Sequence, residues 1–281
     1  MKNPNIPDIL LSNGVIMPQL GFGVWQIAEG DEVVTAVKKA LEIGYRSIDT
    51  AAGYANEKGV GKAIRESGIA REEIFVTTKL ANSKQGYDFT LKAFDRSMED
   101  LGLEYLDLYL IHWPLPMFGK VRETWRAFEK LYNEKRIRAI GVCNFEPVHL
   151  EALFMNFGIK PTVNQIELHP RLTQKPLIEF CKKNEIAVEA WSPLMSGGNI
   201  LKNMAILGLA DKYGKTPAQI ILRWDMQNGV IAIPKSIHEN RMAENMDIFD
   251  FEIDDEDMEQ IDSLDTGFRT GPDPYTFDKL F

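Results

Sequence analysis

Residues 46–57 read RSIDTAAGYANE: a short strand-like run centred on Ile48, a polar turn carrying Asp49 and Tyr54, and a helix that starts after Asn56. The same grammar recurs at IFVTTKL (74–80), which delivers Lys79, and at LYLIHWP (108–114), which delivers His112. In each case β-branched and aromatic residues precede a turn or helix signal, the mark of a short buried strand. Further runs lie outward on both sides: QLGFG near 21, IRAIGV near 139, TVNQIE near 164, IAVEA near 188 and VIAI near 231. Between the runs lie segments of helical period. In DEVVTAVKKALEIG (31–44), for example, Val33, Val34, Val37, Ala40 and Leu41 share a face, and Asp31 is placed to cap the start.

Strand then helix, repeated, predicts a parallel sheet covered by helices, and eight such units at this spacing predict a single (β/α)8 barrel spanning residues 1–281. Barrel enzymes place their chemistry at the C-terminal ends of the strands. Asp49, Tyr54, Lys79 and His112 all fall there. The last interval holds two helical patterns, NILKNMAILGLADKYG and TPAQIILRWDMQ, the second with Thr216 as cap and Pro217 in its first turn. Ahead of the repeats, DILLSNGVIMPQL reads as a hairpin turning at Asn13-Gly14, placed to plug the barrel bottom. After them come an extra acid-capped helix, FEIDDEDMEQIDSLD, and a Gly/Pro/aromatic tail, GFRTGPDPYTFDKLF, which is expected to drape over a neighbouring surface.

Composition narrows the function classes. A formal charge of −9 repels polyanions on average, so nucleic acid is not an expected partner and any phosphate site must be local. No apolar run reaches a membrane span, and MKNPNIPDILLSNG lacks the basic-then-apolar layout of a signal peptide, which points to the cytoplasm. Two cysteines, Cys143 and Cys181, are too few for a disulfide scaffold and are expected free. The four histidines (His112, His149, His169, His238) are far apart without metal-ligand spacing, so no metal site is expected.

The dinucleotide fingerprint is the main competitor for this length, and both candidates for it fail. GFGVWQ (21–26) begins G-x-G but ends in Gln26 before a loop; GVGKAI (59–64) lies inside a helical stretch where small residues allow close packing.

Reducing a carbonyl requires hydride delivery to carbon and proton delivery to oxygen, with negative charge building on that oxygen between the two. Tyr54 suits the proton step if Lys79 stabilises the phenolate, Asp49 holds that lysine, and His112 orients the carbonyl. Taken singly, each has an ordinary reading: turn cap, loop aromatic, solvated strand-end charge, core histidine. Their convergence at one end of successive strands favours the joint reading.

The chain resembles an aldo-keto reductase from the Asn13-Gly14 hairpin to at least Phe251. The resemblance is carried by GFGVWQ, DTAAGYANE, VTTKL, LYLIHWP, GVCNF, NQIELHP, WSPL and IPKSIHENRMAENMDIFDFEI, in family order and spacing. It implies a tetrad of Asp49, Tyr54, Lys79 and His112 with Tyr54 as general acid, and a nicotinamide cofactor bound without a Rossmann domain. It further implies that Asn144 and Gln165 bind the carboxamide and that Trp191 stacks on the ring. Ser192 and Leu194 would meet the pyrophosphate, while Lys235, Ser236 and Arg241 would grip the 2′-phosphate, with Glu244 and Asn245 near the adenine. Two cations and a hydroxyl at that position favour NADPH over NADH. Cys143 stands where the family often has serine, and Trp191 where it often has tyrosine.

The resemblance is to microbial short-loop members of the 2,5-diketo-D-gluconate reductase and glyoxal reductase type. It places Trp25 and Trp113 at the substrate mouth beside His112, although ordinary barrel-end packing reads both equally well. The PLPMFG loop, the SGGN turn and the tail are all brief, so a shallow, open pocket for small, polar or varied carbonyls is expected, in a monomer. The alternative is a nucleotide-binding or regulatory subunit on the same barrel, which a long N-terminal extension or a damaged tetrad would signal; the sequence shows neither.

Overall fold

A computed structural model describes residues 6–281; the first five residues of the N-terminal segment read above lie outside it. Eight parallel strands form one sheet: β3 (Phe22–Gly23), β4 (Ser47–Asp49), β5 (Phe75–Leu80), β6 (Leu106–Ile111), β7 (Ile137–Cys143), β8 (Val163–Glu167), β9 (Ala187–Trp191) and β10 (Ile231–Ala232). Each pairs with its neighbour in chain order, and a parallel bridge between Leu20 and Ala232 joins the two edges. Hydrogen bonds from Gly21 N to Ala232 O (2.9 Å) and from Ala232 N to Gln19 O (3.0 Å) close the barrel.

The GFG doublet owes its glycines to that closure. A Cβ on Gly23 would lie 2.9 Å from Ile233 O, and one on Gly21 would lie 3.0 Å from both Ile233 Cγ2 and Ser47 Oγ. The helical GVGKAI is likewise a packing device, since a Cβ on Gly61 would strike the backbone of Leu101.

The hairpin pairs β1 (Asp8–Leu10) with β2 (Ile16–Pro18) in antiparallel register, Ile9 opposite Met17, around Gly14 at φ 85°. Leu11 and Met17 pack with Phe75, Val163 and Ile231, each the first residue of its strand, so the hairpin plugs the N-terminal end. Outward strand residues such as Val76, Tyr109, Ile140 and Val188 meet the helices in the larger core. This burial of apolar area between the two layers is the main stabilising term.

α1 (Asp31–Ile43) buries the expected face, but Gly30 rather than Asp31 is its N-cap. Gly30 sits at φ 99°, where a residue with a Cβ is strained, and Glu32 reaches back to accept from Ala28 N at 2.9 Å. Thr216 caps α8 (Pro217–Gln227) in a reciprocal box with Gln219, and Asp254 caps α10 (Asp255–Asp262), both as the sequence indicated. Cys143 and Cys181 are free and buried. Among the described residues no helix is long and apolar enough to cross a membrane, and no cluster of His, Cys, Asp or Glu could hold a metal ion.

Candidate active site

Strand parity builds the site. Asp49 ends β4, Lys79 is the penultimate residue of β5, His112 follows β6, Gln165 lies on β8 and Trp191 ends β9, all toward one rim of the barrel. Tyr54 arrives from the turn between Asp49 and α2 (Glu57–Glu66), where Ala55 takes a left-handed φ of 56°. That turn is fixed by Asn56, a residue the sequence reading used only to mark the helix start. Its amide donates to Val24 O and Ile27 O, 3.0 Å each, and its Oδ1 accepts from Thr50 Oγ1 at 2.8 Å, without solvent exposure.

Lys79 is fully buried, and its ammonium has three acceptors: Asp49 Oδ1 at 2.5 Å, Thr50 O at 3.0 Å and Tyr54 Oη at 3.3 Å. An ammonium has three hydrogens to give, so its third contact aims positive charge at the phenol oxygen and leaves the phenol's own hydrogen free to donate elsewhere. Burial pulls the lysine pKa down, yet Asp49 and Tyr54 opposite it hold the net value above the ordinary range. For Tyr54 burial pushes up and Lys79 pulls down, and burial wins. Lys79 thus acts on the phenol in the expected direction, while burial keeps the net value above that of a free phenol. The cation reduces the penalty of burial without overturning it, so the proton leaves only as charge develops on an acceptor.

His112 packs edge-on to Tyr54, 5.8 Å between centroids. Burial first, then Lys79, hold its pKa well below the usual 6.5, so the ring is neutral and offers one N–H. Among the described residues its Nδ1 has no partner.

Asn144 sits at φ 64°, a conformation asparagine tolerates better than most residues. Its side chain is engaged by the chain itself: Oδ1 accepts from Trp191 Nε1 at 2.9 Å, and Nδ2 donates to His112 O at 3.0 Å. Gln165 donates to Asp49 Oδ2 at 2.9 Å and to Glu189 Oε2 at 2.7 Å, while Cys143 Sγ lies 3.6 Å from its Oε1. Ser192 begins the WSPL turn at φ 55°, with Leu194 half-buried beside it.

Lys235 and Arg241 stand exposed at the start of α9 (Glu239–Met246), and neither takes part in an ion pair among the described residues. Buried Ser236 caps the turn by accepting from His238 N at 3.0 Å. Asn245 is buried on the same helix, and Glu244 accepts from Thr216 Oγ1 at 2.7 Å, tying α9 to the cap of α8.

Of the two tryptophans expected at the mouth, Trp25 is exposed whereas Trp113 is buried. The tail packs over Trp113 and, brief as it is, reaches residues at or beyond the ends of β5 to β9, which is more cover than its length suggested. Arg269 pairs with Glu146 at 3.1 Å, Thr270 and Gly271 donate to Glu167, Phe277 lies 4.3 Å from Trp113, and Phe281 lies 5.2 Å from His112. Asn82 Nδ2 and Ser83 N fasten its end by donating to Lys279 O (2.9 Å) and Phe281 O (3.2 Å). The aromatic content of GFRTGPDPYTFDKLF was the available signal, and its length was the misleading one.

A sequence model of the Aldo/keto reductase family matches residues 19–266. The chain belongs to that family. This aldo-keto reductase is 54% identical over 279 residues to a 9,11-endoperoxide prostaglandin H2 reductase of Trypanosoma cruzi, covering 98% of this chain and 97% of that one. It is 56% identical over 266 residues to the glyoxal reductase of Bacillus subtilis, covering 95% of each. A mutant of Gox0644 crystallised in complex with NADPH superposes with a TM-score of 0.92 at 46% identity, covering 97% of this chain and 98% of that one.

Proposed function

We propose that this aldo-keto reductase reduces aldehydes and ketones to alcohols with NADPH, residues 1–281 acting as one cytoplasmic barrel domain. The observation that carries the reading is the Lys79 contact with Tyr54 Oη, which leaves the phenol hydrogen free beside neutral His112. Tyr54 is the general acid, Lys79 stabilises the phenolate as it forms, and Asp49 holds Lys79 in place. His112 donates its N–H to the carbonyl oxygen and orients it, because a neutral imidazole gives up a full proton poorly.

The residues present fit the cofactor. Lys235 and Arg241 lie uncompensated beside Ser236, as a 2′-phosphate requires, and Glu244 and Asn245 follow on the same helix. Asn144, Gln165 and Trp191 converge on one rim, with Ser192 and Leu194 continuing it. Asn144 Oδ1 holds the Trp191 indole N–H and keeps a second lone pair for a carboxamide N–H, and the face of that indole would stack on the ring. When bound, NADPH supplies the hydride; the chain positions the carbonyl and delivers the proton.

The pocket between Trp25, Trp113 and His112, narrowed by Phe277 and Phe281, suits small α-dicarbonyls, keto-sugars and slim aromatic aldehydes. The name of the Bacillus subtilis relative agrees with the first of these; that of the Trypanosoma cruzi relative points to a lipid substrate and argues for breadth. NADPH oxidation with a panel of methylglyoxal, keto-sugars and aromatic aldehydes tests the assignment. Turnover of α-dicarbonyls supports it; tight NADPH binding without turnover of any carbonyl would favour a nucleotide-sensing subunit instead.

A further inference from the structure

Glu189 has no part in the chemistry above, yet it sits one hydrogen bond from it. It is the third residue of β9, its Cα pairs with that of Gln165 across the β8/β9 ladder, and its carboxyl is fully buried inside the barrel. Oε2 accepts from Gln165 Nε2 at 2.7 Å, and Oε1 meets no partner among the described residues. The same Gln165 nitrogen donates to Asp49 Oδ2 at 2.9 Å, and the other Asp49 oxygen holds Lys79. Glu189, Gln165, Asp49, Lys79 and Tyr54 thus form one continuous chain of contacts.

A primary amide has two N–H donors and one carbonyl acceptor. With both donors turned toward carboxyl groups, Gln165 keeps only Oε1, and that oxygen has nothing but the weak Cys143 thiol near it. Asp49 alone would take one donor and leave the other buried and unmatched, a costly arrangement that frees the amide to rotate.

We propose that Glu189 is a positioning residue for the reduction: as a neutral acid it accepts from Gln165, locks both amide N–H groups inward, and thereby presents the Gln165 carbonyl oxygen to the nicotinamide carboxamide. The inference rests on the reductase reading and deepens it. Neutrality follows from the surroundings. Asp49 on β4 already puts one anion on the amide, the cation Lys79 on β5 is itself paired with Asp49, Cys143 on β7 is an unionised thiol, and Ile231, paired with Glu189 on β10, brings no charge. Burial and then Asp49 push Glu189 up to about 8, against the opposing pull of Gln165 and Lys79.

Glu189→Gln keeps an acceptor for the amide and removes the ionisation, whereas Glu189→Ala removes both. NADPH affinity, read by tryptophan fluorescence at neutral pH, should stay within about twofold in Glu189→Gln and weaken roughly tenfold in Glu189→Ala. A second readout uses the protein without cofactor. The proton on Glu189 is held more tightly in the folded than in the unfolded chain, so wild type should lose thermal stability relative to Glu189→Gln as pH rises from 4.5 to about 8, and the difference should level off beyond. A purely steric role moves neither the rescue by Gln nor the pH dependence. Equal losses of affinity in both variants, unchanged affinity in Glu189→Ala, or a stability difference flat with pH would each overturn the proposal. Absence of carbonyl turnover with these two results intact would sink the reductase reading alone.

Discussion

The ring of Phe281 stands edge-on to the imidazole of His112, 5.2 Å between centroids and 85° between planes. It also approaches Gly53, where an added Cβ would lie 2.8 Å from its ring, so on the proposed reading it narrows the space beside Tyr54 that a bulky carbonyl would enter. Phe281→Ala should lower KM for aromatic aldehydes by about three- to tenfold, since a side chain no longer has to be displaced. KM for methylglyoxal should change little. Steady-state kinetics with the two substrates check this, and parallel changes in both would show that the ring does not discriminate.

Lys79 and Asp49 are a buried pair, and removing one charge strands the other. Lys79→Met should cost about 3–5 kcal/mol in urea denaturation, with much of that recovered in Lys79→Met/Asp49→Asn. Activity should not recover, because the cation facing Tyr54 is gone. Recovery of both stability and turnover in the double variant would contradict the assigned role.

Among the described residues Lys235 and Arg241 form no ion pair, so their loss should spare the fold and weaken cofactor selectively. The Lys235→Ala/Arg241→Ala variant should raise the NADPH dissociation constant roughly a hundredfold or more, about 1.5–3 kcal/mol for each charge-assisted contact, and change that for NADH far less. Fluorescence titration with each nucleotide measures the ratio. Equal losses would remove the 2′-phosphate site from this helix.

His112 is held neutral by burial and by Lys79, its folded pKa lying well below the ordinary 6.5. The sign follows directly: the unfolded chain takes up this proton first, so the stability attached to a neutral His112 is present above 6.5 and is lost as pH falls below it. His112→Gln should lose less stability than wild type on acidification from neutral pH, by thermal unfolding. Parallel acid limbs would show that the ring is not held neutral.

The barrel was legible because period-2 runs alternate with helical faces and because the Asn13-Gly14 hairpin and the Thr216 box are local signals. The grouping of Asp49, Lys79, His112 and Tyr54 was readable because the first three lie at or beside the C-terminal ends of neighbouring strands and Tyr54 in the turn that follows one of them. What sequence could not weigh were opposed long-range effects. The phenol of Tyr54 feels burial more than it feels Lys79, and no local pattern reports that. Glu189 was readable in principle, as an acid at inward parity with Trp191 in IAVEAW, but its partner Gln165 is 24 residues away. The tail misled because pocket depth was inferred from its length, whereas its path is set by distant anchors at Glu146, Glu167, Trp113 and Ser83.

The most direct test of the account is Tyr54→Phe, which removes one oxygen and leaves the barrel and α9 untouched. Aldehyde turnover should fall by about 10²–10⁴-fold, the scale of a lost general acid, while the NADPH dissociation constant stays within about twofold. Turnover retained at the wild-type rate with the hydroxyl gone would contradict the claim that the Tyr54 proton completes the reduction.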